Sequence, residues 1–431
     1  MTCYPRLIIG LLCAGVALAA GSAHGQAMDP ELAAVREQNR LLQQQVQNQQ
    51  RQIDELRSRL DTLQDPAGSP PARTEPAAGS GGRSVRISAE LGLAYFGSGD
   101  DGAFPNAEFR VDDAKIFLEA PVWKNVFFVA GLELATREAN DEFFHVGELY
   151  VDAEQVWSAG RNHSLNVRAG RFYIPFGEEY QERGVMNNPL ISHSVADIWG
   201  IDEGVQAYGS LGRLQYNLAI QNGGHKTLHD FDSDKALAVR LAFTPTPRLH
   251  LSASAMRTGD LTVAGDGMSE VWLANAFFRA LGPAATTRTF AADLAELDAA
   301  WTWQGGHLKA AAGWINFDDD STSADYARKL RYYSLEGRQR LGANLFGAAR
   351  YSAIDAPRGY PLAAQGNAGK YFYNPFAPLT TELERLSLGL GYQFGPPLVW
   401  KIEYSWETGR LLSGVKRNDE DMFSSILGVR F

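Results

Sequence analysis

From Val85 to Phe431 apolar and polar residues alternate with a period of two. In the first stretch Val85, Ile87, Ala89, Leu91, Leu93 and Tyr95 fall on one face, and Arg86, Ser88, Glu90 and Gly92 on the other. Successive side chains of an extended strand point to opposite sides, so this spacing predicts a strand with one apolar and one polar face. The figure recurs along the chain. Leu214, Tyr216, Leu218 and Ile220 oppose Gln215, Asn217 and Gln221, and Trp400, Ile402, Tyr404 and Trp406 oppose Lys401, Glu403 and Ser405. With strands of about ten residues, sixteen segments are expected, near 85–97, 107–120, 125–136, 145–157, 164–174, 203–210, 213–222, 235–245, 248–258, 292–304, 307–317, 329–338, 344–354, 382–394, 398–408 and 422–431. Short connections rich in turn residues, such as Pro245 to Arg248 and Gly395 to Pro397, alternate with long ones at 175–202, 259–291 and 355–381.

An even number of short two-faced strands, with short turns at one end and long loops at the other, predicts an all-β fold. The form expected is a transmembrane antiparallel β-barrel of about 16 strands. A water-soluble sandwich shares the alternation of any single strand. It does not call for the many aromatic residues near strand ends, Tyr95, Trp123, Trp157, Trp301, Trp303, Trp314 and Trp406, which suit the two interface girdles of a membrane barrel. Phe423, Leu427, Val429 and Phe431 alternate up to a terminal aromatic, which resembles the C-terminal signal of outer-membrane barrels.

Before Val85 the period changes. Leu32, Val35, Asn39, Leu42, Val46, Gln49, Ile53, Leu56, Leu60 and Leu63 step by three and four, the seam of an α-helical coiled coil that associates with copies of itself. This segment is set at 28–64. Residues 65–84, rich in Pro, Gly, Ala and Ser, form a linker. Residues 1–27 read as a secretory signal peptide: Arg6, an apolar stretch from Leu7 to Ala20, then small residues, with cleavage after Gly25 or Ala27.

Composition then removes alternatives. No uncharged apolar run past the N-terminus reaches the roughly 18 residues of a membrane helix, so a helical membrane protein is excluded. Both cysteines, Cys3 and Cys13, lie in the signal, leaving the mature chain without disulfides, zinc-thiolate sites or a thiol nucleophile. A formal net charge of −10 argues against nucleic acid as a partner. His145, His163, His193, His225, His229, His250 and His307 fall mainly in loops and turns with no flanking nucleophile motif, so no catalytic residue is expected. His225 and His229 beside Asp230, Asp232 and Asp234, and the run Asp318 to Asp320, read as solvated loop residues; no metal site and no cofactor are expected.

Four stretches carry a family resemblance: FRVDDAKIFLEAPVWKNVFFVAGLEL from Phe109, AGRFYIPFGEE from Ala169, GVQAYGSLGRLQYNLAIQNG from Gly204 and ALAVRLAFTP from Ala236. The segment Gly170 to Gly177 is the most diagnostic. Together they resemble the phosphate-selective O/P porin family, and the coil and linker are similar to those of related trimeric porins with a periplasmic coil, dicarboxylate-transporting members included. The resemblance implies a homotrimer in the bacterial outer membrane, its coil in the periplasm, among outer-membrane lipid and lipopolysaccharide. It also implies a third loop, near 175–202, that folds into each barrel and narrows it. Phosphate-selective members line that constriction with bases. Here the loop holds Arg183 against Glu178, Glu179, Glu182, Asp197 and Asp202.

The expected function is therefore a passive water-filled channel for small hydrophilic solutes or anions such as phosphate or dicarboxylates. The alternatives are a structural or adhesive barrel that binds a partner through its coil or loops, and a barrel enzyme such as a lipase. Parity places Arg86, Lys115, Arg168, Arg240, Arg350, Arg385 and Lys401 on the lumen face, with Glu148 and Asp152. Acids such as Glu296, Asp298 and Glu403 share that face. Phe172 and Arg183 complete the expected pore lining near the third loop. Arg168 is the first candidate for a selective contact, its alternative being a wall salt bridge to Glu148 or Asp152. Bases and acids nearly balance, so a pore of mixed polarity is expected, without a tight phosphate site.

Overall fold

The computed structural model describes residues 84–136, 143–160, 162–182, 184–195, 197–198, 200–223, 230, 233–262, 288–320, 327–362 and 378–431. The expected signal peptide, coiled coil, nearly all of the linker, and Arg183 lie outside these residues.

Sixteen long strands form one sheet. They are β1 Arg86–Ser98, β2 Glu108–Trp123, β3 Val126–Thr136, β4 Phe143–Ser158, β5 His163–Tyr173, β6 Ile201–Leu211, β7 Leu214–Gln221 and β8 Ala236–Thr246. Then come β9 Leu249–Arg257, the two-residue β10 Leu261–Thr262, β11 Thr289–Trp303, β12 Gly306–Asp319, β13 Arg328–Arg340 and β14 Leu345–Pro361. The last are β15 Leu379–Gly395, β16 Leu398–Leu411, the two-residue β17 Lys416–Arg417 and β18 Met422–Arg430. Each long strand pairs antiparallel with the next, and β1 closes the ring on β18 with Glu90 opposite Arg430 and Leu91 opposite Val429. Closure leaves no unpaired edge, which is how a sheet satisfies its backbone in hydrocarbon.

All sixteen expected segments coincide with long strands. The strands run further toward the long loops than the alternation suggests: β14 continues to Pro361 and β11 begins at Thr289. The blurred pattern in β2 has a local cause. Gly92 pairs with Asp113 but Leu93 with Val111, so Asp112 is an extra residue in a bulge that flips the parity on either side of it.

Burial is inverted relative to a water-soluble fold. Leu218, Leu297, Leu388 and Trp400 are exposed on the outer face, whereas Arg385, Lys401 and Glu403 are each only 2% exposed inside. That inversion is what a bilayer outside and a polar interior require. Trp123, Trp157, Trp301 and Trp303 ring the short-turn end, and Trp314, Tyr333, Tyr404 and Trp406 stand nearer the loop end, at the heights where amphipathic rings settle. Among the described residues no helix is long and apolar enough to cross a membrane.

Candidate functional site

Between Tyr173, which ends β5, and Ile201, which begins β6, the described residues make a single 3-10 turn, Glu179–Glu182. A surface loop of this length would be polar. This one carries Ile174, Phe176, Val185, Leu190, Ile191, Val195 and Ile198, all buried, so it must pack on something. Its root, Phe172, Ile174, Phe176, Val195 and Ile198, shares an apolar cluster with Leu294, Ile315, Phe317, Leu330, Tyr332 and Tyr360 on the inner faces of β11 to β14. Its tip, Val185 and Ile191, joins Phe96, Phe104, Met422 and Ile426 at the β1 and β18 seam. The loop therefore crosses the lumen. The turn at Gly177 has φ 69°, donates its N–H to Ser254 Oγ at 3.0 Å, and leaves no room for a Cβ, which would stand 2.4 Å from Glu296 Oε1; only glycine fits there.

Charged side chains of the wall hold the returning limb. Lys401 Nζ donates to the carbonyls of Val185, Asn188 and Leu190 at 2.8, 2.9 and 2.8 Å. Glu403 accepts the N–H groups of Ile191 and Ser192 at 2.5 and 2.9 Å, and the Ser192 hydroxyl. Arg350 donates to Ser192 O at 2.7 Å and Asn188 Oδ1 at 3.0 Å while pairing with Glu336. Arg385 donates to His193 O at 3.0 Å and to Glu407 at 2.6 Å. Burying such charges is costly unless every donor finds a partner, and here the loop backbone supplies those partners.

Several residues of the expected pore lining are thus engaged by the loop or by neighbouring side chains. Arg350, Arg385 and Lys401 face inward and are buried against the loop, and Phe172 is wholly buried in the apolar cluster. Arg240 is likewise buried, donating to Glu178 at 2.5 Å beside His250, whose Nε2 lies 3.3 Å from the same carboxylate. Burial holds the nearby Tyr180 hydroxyl above its usual pKa range, with the Arg240 charge opposing. Tyr180 therefore stays neutral and adds no charge to the passage.

On the wall of β1 to β6, Arg86, Lys115 and Arg168 keep more exposure than the bases under the loop. Arg86 is mostly exposed and pairs with Glu119 at 3.3 Å. Lys115 stands 3.5 Å from Asp113 and 3.7 Å from Glu133. Arg168 takes the wall salt bridge: it donates to Asp152 at 2.8 Å and its guanidinium lies 4.0 Å from the Tyr150 ring centroid and 5.1 Å from that of Tyr208. Tyr208 also donates to Asp152 at 2.8 Å. Glu148 lies on the same wall within electrostatic reach of Arg168 and Lys115.

Between the outgoing limb of the loop and β11 to β14 lies a cavity of about 310 Å³, lined by Glu178, Glu182, Glu296, Asp298, Lys309 and Arg350 among others. Lys309 pairs with Glu182. Glu296 accepts the Tyr332 hydroxyl at 2.6 Å, Asp298 the Ser252 hydroxyl at 3.0 Å, and the two carboxyl groups share a hydrogen bond with each other. Neither carboxylate has a basic side chain within ion-pair distance among the described residues. The loop-side partners Asn188, Ser192 and His193 carry no periodic signal. The inward course of the loop is what the family resemblance implies, and the apolar content of 174–198 is a second signal in the sequence for it.

No family profile matches the chain, and no curated protein matches it by sequence. Solved structures do match. The outer membrane channel DcaP of Acinetobacter baumannii superimposes with TM-score 0.53 at 12% identity, over 81% of this chain and 98% of that one. Outer-membrane expressed OmpT of Vibrio cholerae gives TM-score 0.51 at 11% identity, over 82% of this chain and 99% of that one. The anion-selective porin from Comamonas acidovorans gives 0.50 at 12%, over 81% and 99%. At such identities the likeness speaks for the fold: this chain is a closed antiparallel barrel of sixteen long strands, built as outer-membrane porins are.

Proposed function

We propose that this protein is a passive channel in a bacterial outer membrane, admitting small hydrophilic solutes and favouring cations over anions. The observation that carries the reading is a closed barrel with a charged interior, crossed by a loop that buried side chains hold in place. The solved relatives include an outer membrane channel and an anion-selective porin, and one OmpT structure is described as a trimer form; a homotrimer with the 28–64 coil in the periplasm belongs to the same proposal. So does kinship with the phosphate-selective O/P porins.

Selectivity is where the charges matter. An anion path needs exposed bases, yet Arg350, Arg385 and Lys401 are occupied by the loop, and Arg168, Arg240 and Lys309 by carboxylates. Glu296 and Asp298 have no such base, and because they share a hydrogen bond the pair carries about one negative charge between them. A unit charge about 7 Å away in water is worth about 0.6 kcal/mol, roughly threefold in local cation concentration. The reversal potential across a potassium chloride gradient should therefore take the cation-selective sign, and Glu296→Gln with Asp298→Asn should reduce the permeability ratio by about threefold or more. An anion-selective reversal potential in the wild type would refute this assignment.

A further inference from the structure

A second cavity, of about 700 Å³, opens on the opposite side of the wall, facing away from the lumen near the loop end of β12 and β13. Its rim holds Lys329, Arg331, Asn316 and Asp293, and Trp314, Tyr333, Ala312 and the backbone of Gly313 line it below. Along β13 the inward Arg328, Leu330 and Tyr332 are buried while Lys329, Arg331 and Tyr333 are exposed, so the two cations face outward. Lys329 pairs across the sheet with Asn316, Asn316 with Asp293, and Asp293 with Arg257. This makes one polar row over four strands.

Among the described residues none of Lys329, Arg331 and Arg257 has a carboxylate within ion-pair distance. The nearby acids are partly engaged elsewhere. Asp318 accepts from Asn316 at 3.2 Å, and Asp320 accepts the N–H groups of Arg288 and Thr289 at 2.9 and 3.1 Å. Asp293 on the rim and Asp355, across from Arg331, remain as the opposing charges. Lys329 and Arg331 lie two residues apart on one face, about 7 Å along the strand, a spacing that two long cationic side chains close around a single phosphate. Below them, the slot between Trp314 and Tyr333 has an apolar floor. Cations above and an apolar slot below complement an amphiphile with an anionic head.

We propose that this cavity binds the phosphate-bearing headgroup of a glycolipid in the loop-side leaflet, with Lys329 and Arg331 on the phosphate and an acyl chain over Ala312. The inference rests on the reading of the chain as a membrane barrel. The test is native mass spectrometry of the whole mature protein in mild detergent, titrated with bisphosphorylated lipid A, with its dephosphorylated form and with phosphatidylglycerol. Wild type should retain bisphosphorylated lipid A, and Lys329→Ala with Arg331→Ala should weaken that binding by about tenfold or more. Equal binding by the double variant, or equal binding of the dephosphorylated form, would overturn the proposal. Equal displacement by phosphatidylglycerol would overturn the glycolipid assignment. Both residues point away from the lumen, so the variant should keep wild-type single-channel conductance. Loss of current in both proteins would instead count against the channel reading.

Discussion

Replacing Lys401 by methionine should loosen the third loop from the barrel wall, raise single-channel conductance and make the open current noisy. The Lys401 ammonium is 98% buried and donates to three loop carbonyls. Each buried carbonyl left without a donor costs about 1–3 kcal/mol, so the anchored state should lose about 3 kcal/mol or more. Methionine fills much of the same volume, which confines the change to the lost donors. The root and tip clusters still hold the loop at Phe176 and Ile191, so partial and fluctuating release is expected, without expulsion. The barrel ladder does not depend on Lys401's side chain, and heat-resistant migration on gels should persist. A folded variant with unchanged conductance and unchanged noise would show that the loop does not set the aperture.

Leu218→Arg should destabilise the barrel by about 2–4 kcal/mol, the cost of a cation near the bilayer midplane. Leu218 is 47% exposed on the outer face of β7, between Ala207 and Val239 on the neighbouring strands. Gln215→Arg, on the lumen side of the same strand, should change stability little, because its side chain meets water. Unfolding midpoints in urea, measured in lipid vesicles, compare the two. Equal destabilisation would mean that β7 presents the other face to the bilayer.

Much of the fold was legible because a strand between lipid and water has a strict period of two. Leu386, Leu388 and Leu390 against Arg385 and Ser387 admit only one orientation in a barrel. Where a bulge adds a residue, as at Asp112, the pattern slips and the strand reads poorly. The site was legible only in part. Parity put Lys401, Arg385 and Arg350 on the inner face, but parity reports which side of the sheet a residue is on, and nothing about what covers it. What covers them is a loop whose polar partners, Asn188 and Ser192, are held by backbone geometry with no period to read. The pair Glu296 and Asp298 illustrates the same limit, since the lack of a base within ion-pair distance among the described residues depends on strands and loops far apart in sequence. For Arg168 parity alone allows either a selective contact or a wall salt bridge, and its contacts with Asp152, Tyr150 and Tyr208 favour the salt bridge.

An open water-filled passage through the barrel should reveal itself as current across a planar bilayer at low protein concentration. Discrete, long-lived current steps are expected, their size growing with salt concentration and ohmic at small voltage. Protein that inserts as a heat-resistant folded barrel yet carries no current steps would contradict such a passage.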